Sequence, residues 1–120
     1  MEEVVLMSRK KRKIHKSNSG YDSHHILFYR KEWSKGCKML LRRSFVYQIP
    51  IVVHQALHAA VGQVPPLDEN EARLLWDRSK QLDHPLGLYE AFDWLMLNAP
   101  NAEFSMAIMA QYGFLRNYMG

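Results

Sequence analysis

The sequence predicts an α+β fold in which two short strands and a helix come first and about three helices follow. Two stretches at residues 21–29 and 44–49 are rich in aromatic and β-branched residues, which is the composition of strands. A helical pattern begins after Pro50, and three more follow residue 67. At 120 residues the chain has room for one compact domain with one core.

Residues 1–19 are predicted to form a flexible basic arm, because they hold too few apolar residues to order themselves. Six Lys or Arg occur within eight residues, and Ser-Asn-Ser-Gly follows. Two interpretations stay open: a solvated spacer, or an arm that binds nucleic acid. In the second interpretation the phosphate contacts come from Arg9, Lys10, Lys11, Arg12 and Lys13.

Charge divides the chain into two halves of opposite sign. Up to Pro50 there are twelve Lys or Arg against four Asp or Glu, and from Ile51 onward there are four against eight. The basic half predicts a polyanion partner whose affinity falls steeply with salt, since phosphate contacts release counterions. The acidic half faces elsewhere or covers a basic protein.

The first strand, within residues 21–29, carries the tandem His24-His25, and residues 44–49 are expected to pair with it. Between them, residues 31–43 have apolar positions at helical spacing, so a helix is predicted as an insertion between the strands. Its cations can clamp phosphates or simply face solvent; the candidates for contact are Arg30, Lys31 and Lys35.

The next helix is predicted over residues 51–61. Pro50 suits its first turn, and Gly62 is expected to end it in a left-handed conformation. His54 and His58 leave one face of this helix about one turn apart, the separation at which two imidazoles can hold one metal ion.

Three helices are predicted in the remaining part, residues 63–120. Asp68 and Glu71 form a capping-box pattern that opens the first, through residue 82. The second covers residues 86–98, and Asn101 caps a third over residues 102–118. We expect these helices to complete the core, although a Met-rich groove for a partner is the other interpretation. The apolar positions assigned to the first and third helices include Leu74, Met106 and Met109.

The runs SHHILFYRKEW and IPIVVHQALH resemble the HNH nucleases, also called ββα-metal or His-Me finger nucleases. The resemblance covers residues 20–62 and implies a ββα-metal motif with an inserted helix. It implies that His25 is the general base and that the metal ligands are His24, His54 and His58.

One position departs from the family pattern. The family's middle residue, usually an Asn about nine positions before the first helix His, falls near Phe45, and no Asn lies between His25 and His54. In the family that residue fixes the loop that carries the base. The departure therefore bears on turnover more than on the fold.

The resemblance implies an endonuclease that hydrolyses DNA phosphodiester bonds in duplex DNA with weak sequence preference. Its cofactor is a divalent metal ion of open identity: zinc, nickel, manganese or magnesium. Three nitrogen ligands favour zinc, nickel, cobalt or manganese over magnesium, which prefers oxygen. Asp22 is the candidate to orient one ligating ring.

Two other function classes remain open. One is a small phage or mobile-element inhibitor, similar in size to anti-CRISPR proteins, whose acidic helices imitate phosphates and block a host nucleic-acid-binding complex. The other is a DNA-binding adaptor that keeps the metal for stability. A single cysteine, Cys37, the lack of a secretory signal pattern and short apolar stretches predict a cytoplasmic protein without a membrane partner.

Overall fold

The computed structural model describes residues 20–27 and 45–120. These residues form an antiparallel pair of strands and four helices, so the fold is α+β. The strands are β1 (Tyr21–His25) and β2 (Val46–Pro50), and the helices are α1 (Ile51–Ala60), α2 (Glu69–Ser79), α3 (Leu88–Leu97) and α4 (Ala102–Met119). The predicted arm at residues 1–19 and the predicted inserted helix at 31–43 lie outside the described residues.

The pairing of β1 with β2 confirms the expected partner, and the two strands are antiparallel. Its register runs from Tyr21 opposite Pro50 to His25 opposite Val46. Alternate residues of a strand point to opposite faces, and here Asp22 and His24 are the less exposed residues of β1. The inner face of β1 therefore presents a carboxylate and an imidazole to the rest of the molecule.

Helix α1 starts directly after β2, with Pro50 at its N-cap. The predicted end is wrong in detail: the helix ends at Ala60, and Val61 leaves it in an extended conformation with φ −120°. Gly62 does not have a positive φ, so the left-handed glycine cap that the sequence suggested is not formed. Val61 N–H instead donates to the Leu57 carbonyl at 2.9 Å.

The caps of α2 and α4 agree with the sequence. Asp68 accepts from Glu71 N–H at 2.8 Å while the Glu71 side chain accepts from Asp68 N–H at 3.1 Å, a complete capping box. Asn101 accepts from Phe104 N–H at 2.8 Å. Helix α2 is shorter than predicted, because it ends at Ser79 rather than at residue 82.

The core lies where α1 packs on both strands and on α4, and α3 also packs on α4. The largest wholly buried side chains are Phe92, Phe104, Ile26, Leu27, Ile49, Leu57, Leu75, Leu95, Ile108, Leu115 and His24. Within the described residues no helix has both the length and the apolar character needed to cross a membrane.

Three apolar residues assigned to helix faces by periodicity are exposed instead. Leu74 is 44% exposed, Met106 67% and Met109 54%. The buried side of α4 consists of Phe104, Ile108, Gln111 and Leu115. A helix with apolar residues on several sides does not indicate which side is buried, because that choice depends on the neighbouring elements.

Candidate metal centre

Three histidines from two elements come together beside the core. His24 lies on the inner face of β1, and His54 and His58 lie one turn apart on α1. Each offers a ring nitrogen, and these three nitrogens lie within 4.8 Å of one another. The ring centroids are 5.2 Å apart for His24 and His54, 5.6 Å for His24 and His58, and 4.6 Å for His54 and His58. This three-histidine group could hold a metal ion.

Asp22 orients the ring of His54. Because Asp22 and His24 share the inner face of β1, both meet α1, and Asp22 Oδ2 lies 3.2 Å from His54 Nδ1. A carboxylate only accepts, so His54 Nδ1 carries the hydrogen and Nε2 of the neutral ring has the lone pair. The hydrogen bond thus directs the lone pair on His54 Nε2 toward the other histidines of the group.

The spacing of the two helix histidines suits a single ion. Their Nε2 atoms are 3.1 Å apart. Two nitrogens on a tetrahedral zinc ion, each about 2.0–2.1 Å from it, are separated by about 3.3 Å. To bind one zinc ion, the two Nε2 atoms would have to move apart by only a few tenths of an ångström. The hydrogen on His58 would also have to move from Nε2 to Nδ1.

His24 is wholly buried, and its Nε2 lies 3.0 Å from Gln111 Oε1 of α4. Burial lowers the pKa of His24 from 6.5 to about 4; the imidazoles of His54, His58 and His25 lower it further, and the hydrogen bond to Gln111 opposes the shift. His24 is consequently neutral at pH 7, as a metal-ligating imidazole must be.

His25, the predicted general base, is the last residue of β1 and is exposed. Strand alternation turns its side chain to the face opposite that of His24, so it stands outside the three-histidine group. Partial burial lowers the pKa of His25, and His54 adds to the shift. A neutral, accessible imidazole next to the group is chemically able to accept a proton.

Phe45 occupies the region where the HNH pattern places its Asn. Its backbone is in the left-handed region, with φ 59°, which is uncommon for an aromatic residue. Its ring stacks on Trp94 at 5.6 Å, and its carbonyl accepts from Ile26 N–H at 3.0 Å. The chain directly after His25 is thus joined to the start of β2 by a main-chain hydrogen bond.

The residues predicted to contact nucleic acid lie outside the described residues: Arg9, Lys10, Lys11, Arg12, Lys13, Arg30, Lys31 and Lys35.

Gln111 is a site residue that was not predicted from the sequence. It is buried at a position four residues before Leu115 and three after Ile108, where α4 otherwise has apolar residues. The one indication in the sequence is that a polar residue lies at helical spacing with apolar residues that turn out to be buried. That indication is useful only once the buried face of α4 is known.

Comparison of the chain with protein-family models, with curated proteins and with solved structures found no match.

Proposed function

We propose that the protein is an HNH-like, metal-dependent endonuclease that hydrolyses phosphodiester bonds in DNA. The observation that carries the proposal is the convergence of His24 with His54 and His58, with His25 adjacent in the chain but off the group. In this proposal β1, β2 and α1 form the ββα-metal motif.

The residues present suit the metal that the proposal requires. His24, His54 and His58 offer three neutral nitrogen donors, and Asp22 supports the ring of His54 from behind. When bound, a divalent ion supplies positive charge that stabilises the phosphate and the departing 3′ oxygen as negative charge develops.

His25 is assigned the proton transfer. The alternation of β1 lets one histidine serve as a ligand while the next remains free of the metal and open to solvent. In the hydrolysis, a water oxygen bonds to phosphorus, the water proton passes to the His25 ring, and the bond from phosphorus to the 3′ oxygen breaks. The lowered pKa keeps His25 in the neutral, proton-accepting form at neutral pH.

The missing Asn is compensated, in this proposal, by contacts on the residue after the base. Ile26 N–H donates to Phe45 O at 3.0 Å, and Ile26 O accepts from Gln111 Nε2 at 2.8 Å. Both main-chain polar groups of Ile26 are therefore held, which restricts the position of His25 without an Asn side chain.

The test is nicking of supercoiled plasmid with manganese, nickel or magnesium, by wild-type protein and by His25→Ala. We expect metal-dependent conversion to open circles by the wild type and a loss of about 100-fold or more in the variant, the usual contribution of a general base. His84→Ala is the matched control, because His84 is an exposed loop histidine. Equal nicking by wild type and His25→Ala would contradict the assignment of the base.

A second candidate function is supported by the charge of the described residues. Residues 20–27 and 45–120 contain nine Asp or Glu and four Lys or Arg, and most of the acidic residues are exposed. Such a surface can occupy the basic cleft of a nucleic-acid-processing machine, as an inhibitor would. Absence of nicking with every metal, together with absence of bound metal, would favour this candidate. Absence of nicking with metal retained would favour a structural metal in an adaptor.

A further inference from the structure

Gln111 connects the C-terminal helix to both sides of the proposed active centre. Its Oε1 lies 3.0 Å from His24 Nε2, and its Nε2 donates to the Ile26 carbonyl at 2.8 Å. These partners are 87 and 85 residues away in sequence, and they flank His25. Gln111 and His24 are both wholly buried, and they are the two buried polar residues among those described.

The chemistry of the two partners fixes the orientation of the Gln111 amide. A backbone carbonyl can only accept a hydrogen bond, so the NH₂ group of Gln111 must face Ile26. The amide oxygen then faces His24, and an amide oxygen also can only accept. His24 Nε2 must therefore carry the hydrogen, and the neutral ring has its lone pair on Nδ1.

The same amide restrains the main chain beside His25. Ile26 directly follows the proposed base, and its carbonyl would be a buried acceptor without the Gln111 hydrogen bond. Leaving a buried polar group without a partner is costly, so the amide favours one position of this chain segment. One side chain thus acts on the residues before and after His25.

We propose that Gln111 is a positioning residue which sets the Nε2–H tautomer of His24, so that Nδ1 is the ligating atom, and which fixes the main chain next to His25. This inference rests on the proposed metal site. It assigns to α4, outside residues 20–62 that carry the resemblance, a direct part in forming the centre. Removal of a group that orients a ligating histidine usually weakens metal affinity 10- to 100-fold.

The experiment compares three variants with wild type. Gln111→Met keeps the length of the side chain and loses both hydrogen bonds. Gln111→Glu keeps an oxygen that can accept from His24. Asn101→Ala removes the N-cap of the same helix, at Phe104 N–H, away from the histidines, and so reports on a general weakening of α4.

Two readouts are measured. The tautomer of His24 is read in metal-free protein from two-bond ¹H–¹⁵N correlations of the imidazole ring. The dissociation constant for zinc is measured by competition with a chelator. We expect the Nε2–H tautomer in wild type, Gln111→Glu and Asn101→Ala, and its loss in Gln111→Met. We expect zinc affinity about 10- to 100-fold weaker in Gln111→Met and within about threefold of wild type in Asn101→Ala.

Three results would overturn the inference: an Nδ1–H tautomer in wild type, unchanged zinc affinity and tautomer in Gln111→Met, or an equal loss of affinity in Asn101→Ala. If Gln111→Met does not fold, the wild-type tautomer and its retention in Gln111→Glu still decide. A wild type that binds zinc but never nicks DNA contradicts the proposed nuclease while leaving this inference to be judged by tautomer and affinity.

Discussion

Two aspartate–histidine pairs in this protein have the same chemistry and different surroundings. Asp22 and His54 lie 3.2 Å apart, with side chains 18% and 20% exposed. Asp83 and His84 lie closer, at 2.7 Å, but their side chains are 92% and 59% exposed. The shorter pair is between adjacent residues of a loop, whereas the longer pair joins β1 to α1.

A short ion pair is therefore not in itself a sign of a site. The hydrogen bond with Asp83 raises the pKa of His84, but both groups remain in water, where such a pair contributes little. Asp22, in contrast, orients a ring that shares its neighbourhood with His24 and His58. The candidate centre differs from the Asp83–His84 pair because ring nitrogens from two separate elements come together there, and not because its contacts are shorter.

The largest expected difference between the two regions is in metal binding. His58→Ala removes one of the three ring nitrogens, and we expect the zinc dissociation constant to rise more than about 100-fold. Removal of a group that only orients a ligand already weakens metal affinity 10- to 100-fold, and loss of a ligand should cost more. Titration of cobalt(II) absorption or chelator competition measures it. His84→Ala should bind zinc as the wild type does, and a comparable loss in that variant would remove the distinction.

The next difference is in the pH dependence of stability of the metal-free protein. His24 has a pKa of about 4 when folded and about 6.5 when unfolded, so the unfolded chain binds a proton first. The free energy of unfolding is therefore unaffected by His24 above about pH 6.5, decreases as the pH drops from 6.5 to 4, and does not decrease further through His24 below pH 4. The shift corresponds to roughly 3 kcal/mol of unfolding free energy.

Urea unfolding in the presence of a chelator, at several pH values between 7 and 4, measures this decline. In His24→Gln the decline over this interval should be smaller than in wild type by roughly the same amount. His84→Gln is the matched control: the pKa of His84 is raised, so its contribution has the opposite sign, and the decline should remain. If the unfolding free energy declined as steeply in His24→Gln as in the wild type, another group would be the one that titrates.

The smallest of the three differences concerns the two carboxylates. Asp22→Ala removes the acceptor that holds His54 Nδ1–H, and we expect zinc affinity to fall about 10- to 100-fold, with the ligands all present. Isothermal titration at pH 7 measures the change. Asp83→Ala should leave zinc affinity unaltered, and equal behaviour of the two variants would show that Asp22 does not orient His54.

Much of the local structure followed from the sequence because its causes are local. Asp68 with Glu71, and Asn101 before α4, were identified as caps from the spacing of polar side chains within one turn. The partner of β1 followed from strand composition, whereas the antiparallel direction is an observation of the structure. The end of α1 was predicted from Gly62 and was wrong, because Val61 already leaves the helix in an extended conformation.

The burial of helix faces was predicted less well. Met106 and Met109 were assigned to apolar faces and are exposed, while the polar Gln111 is buried. Hydropathy alone cannot give Gln111 a buried position, because its burial depends on hydrogen bonds with His24 of β1 and with Ile26, which follows β1 directly. Those partners are more than eighty residues away, beyond the reach of any local pattern.

The proximity of His54 and His58 is a local consequence of their spacing, because a helical period of 3.6 residues puts positions four apart on one face. The α+β class and the separation of basic from acidic halves could also be read from the chain alone. That His24 turns inward to these two rings while His25 turns out depends on tertiary packing, since the face of a strand that is buried depends on what packs against it. The part played by Gln111 of α4 depends on tertiary packing as well, because a buried amide is stable only where distant partners satisfy both of its polar groups.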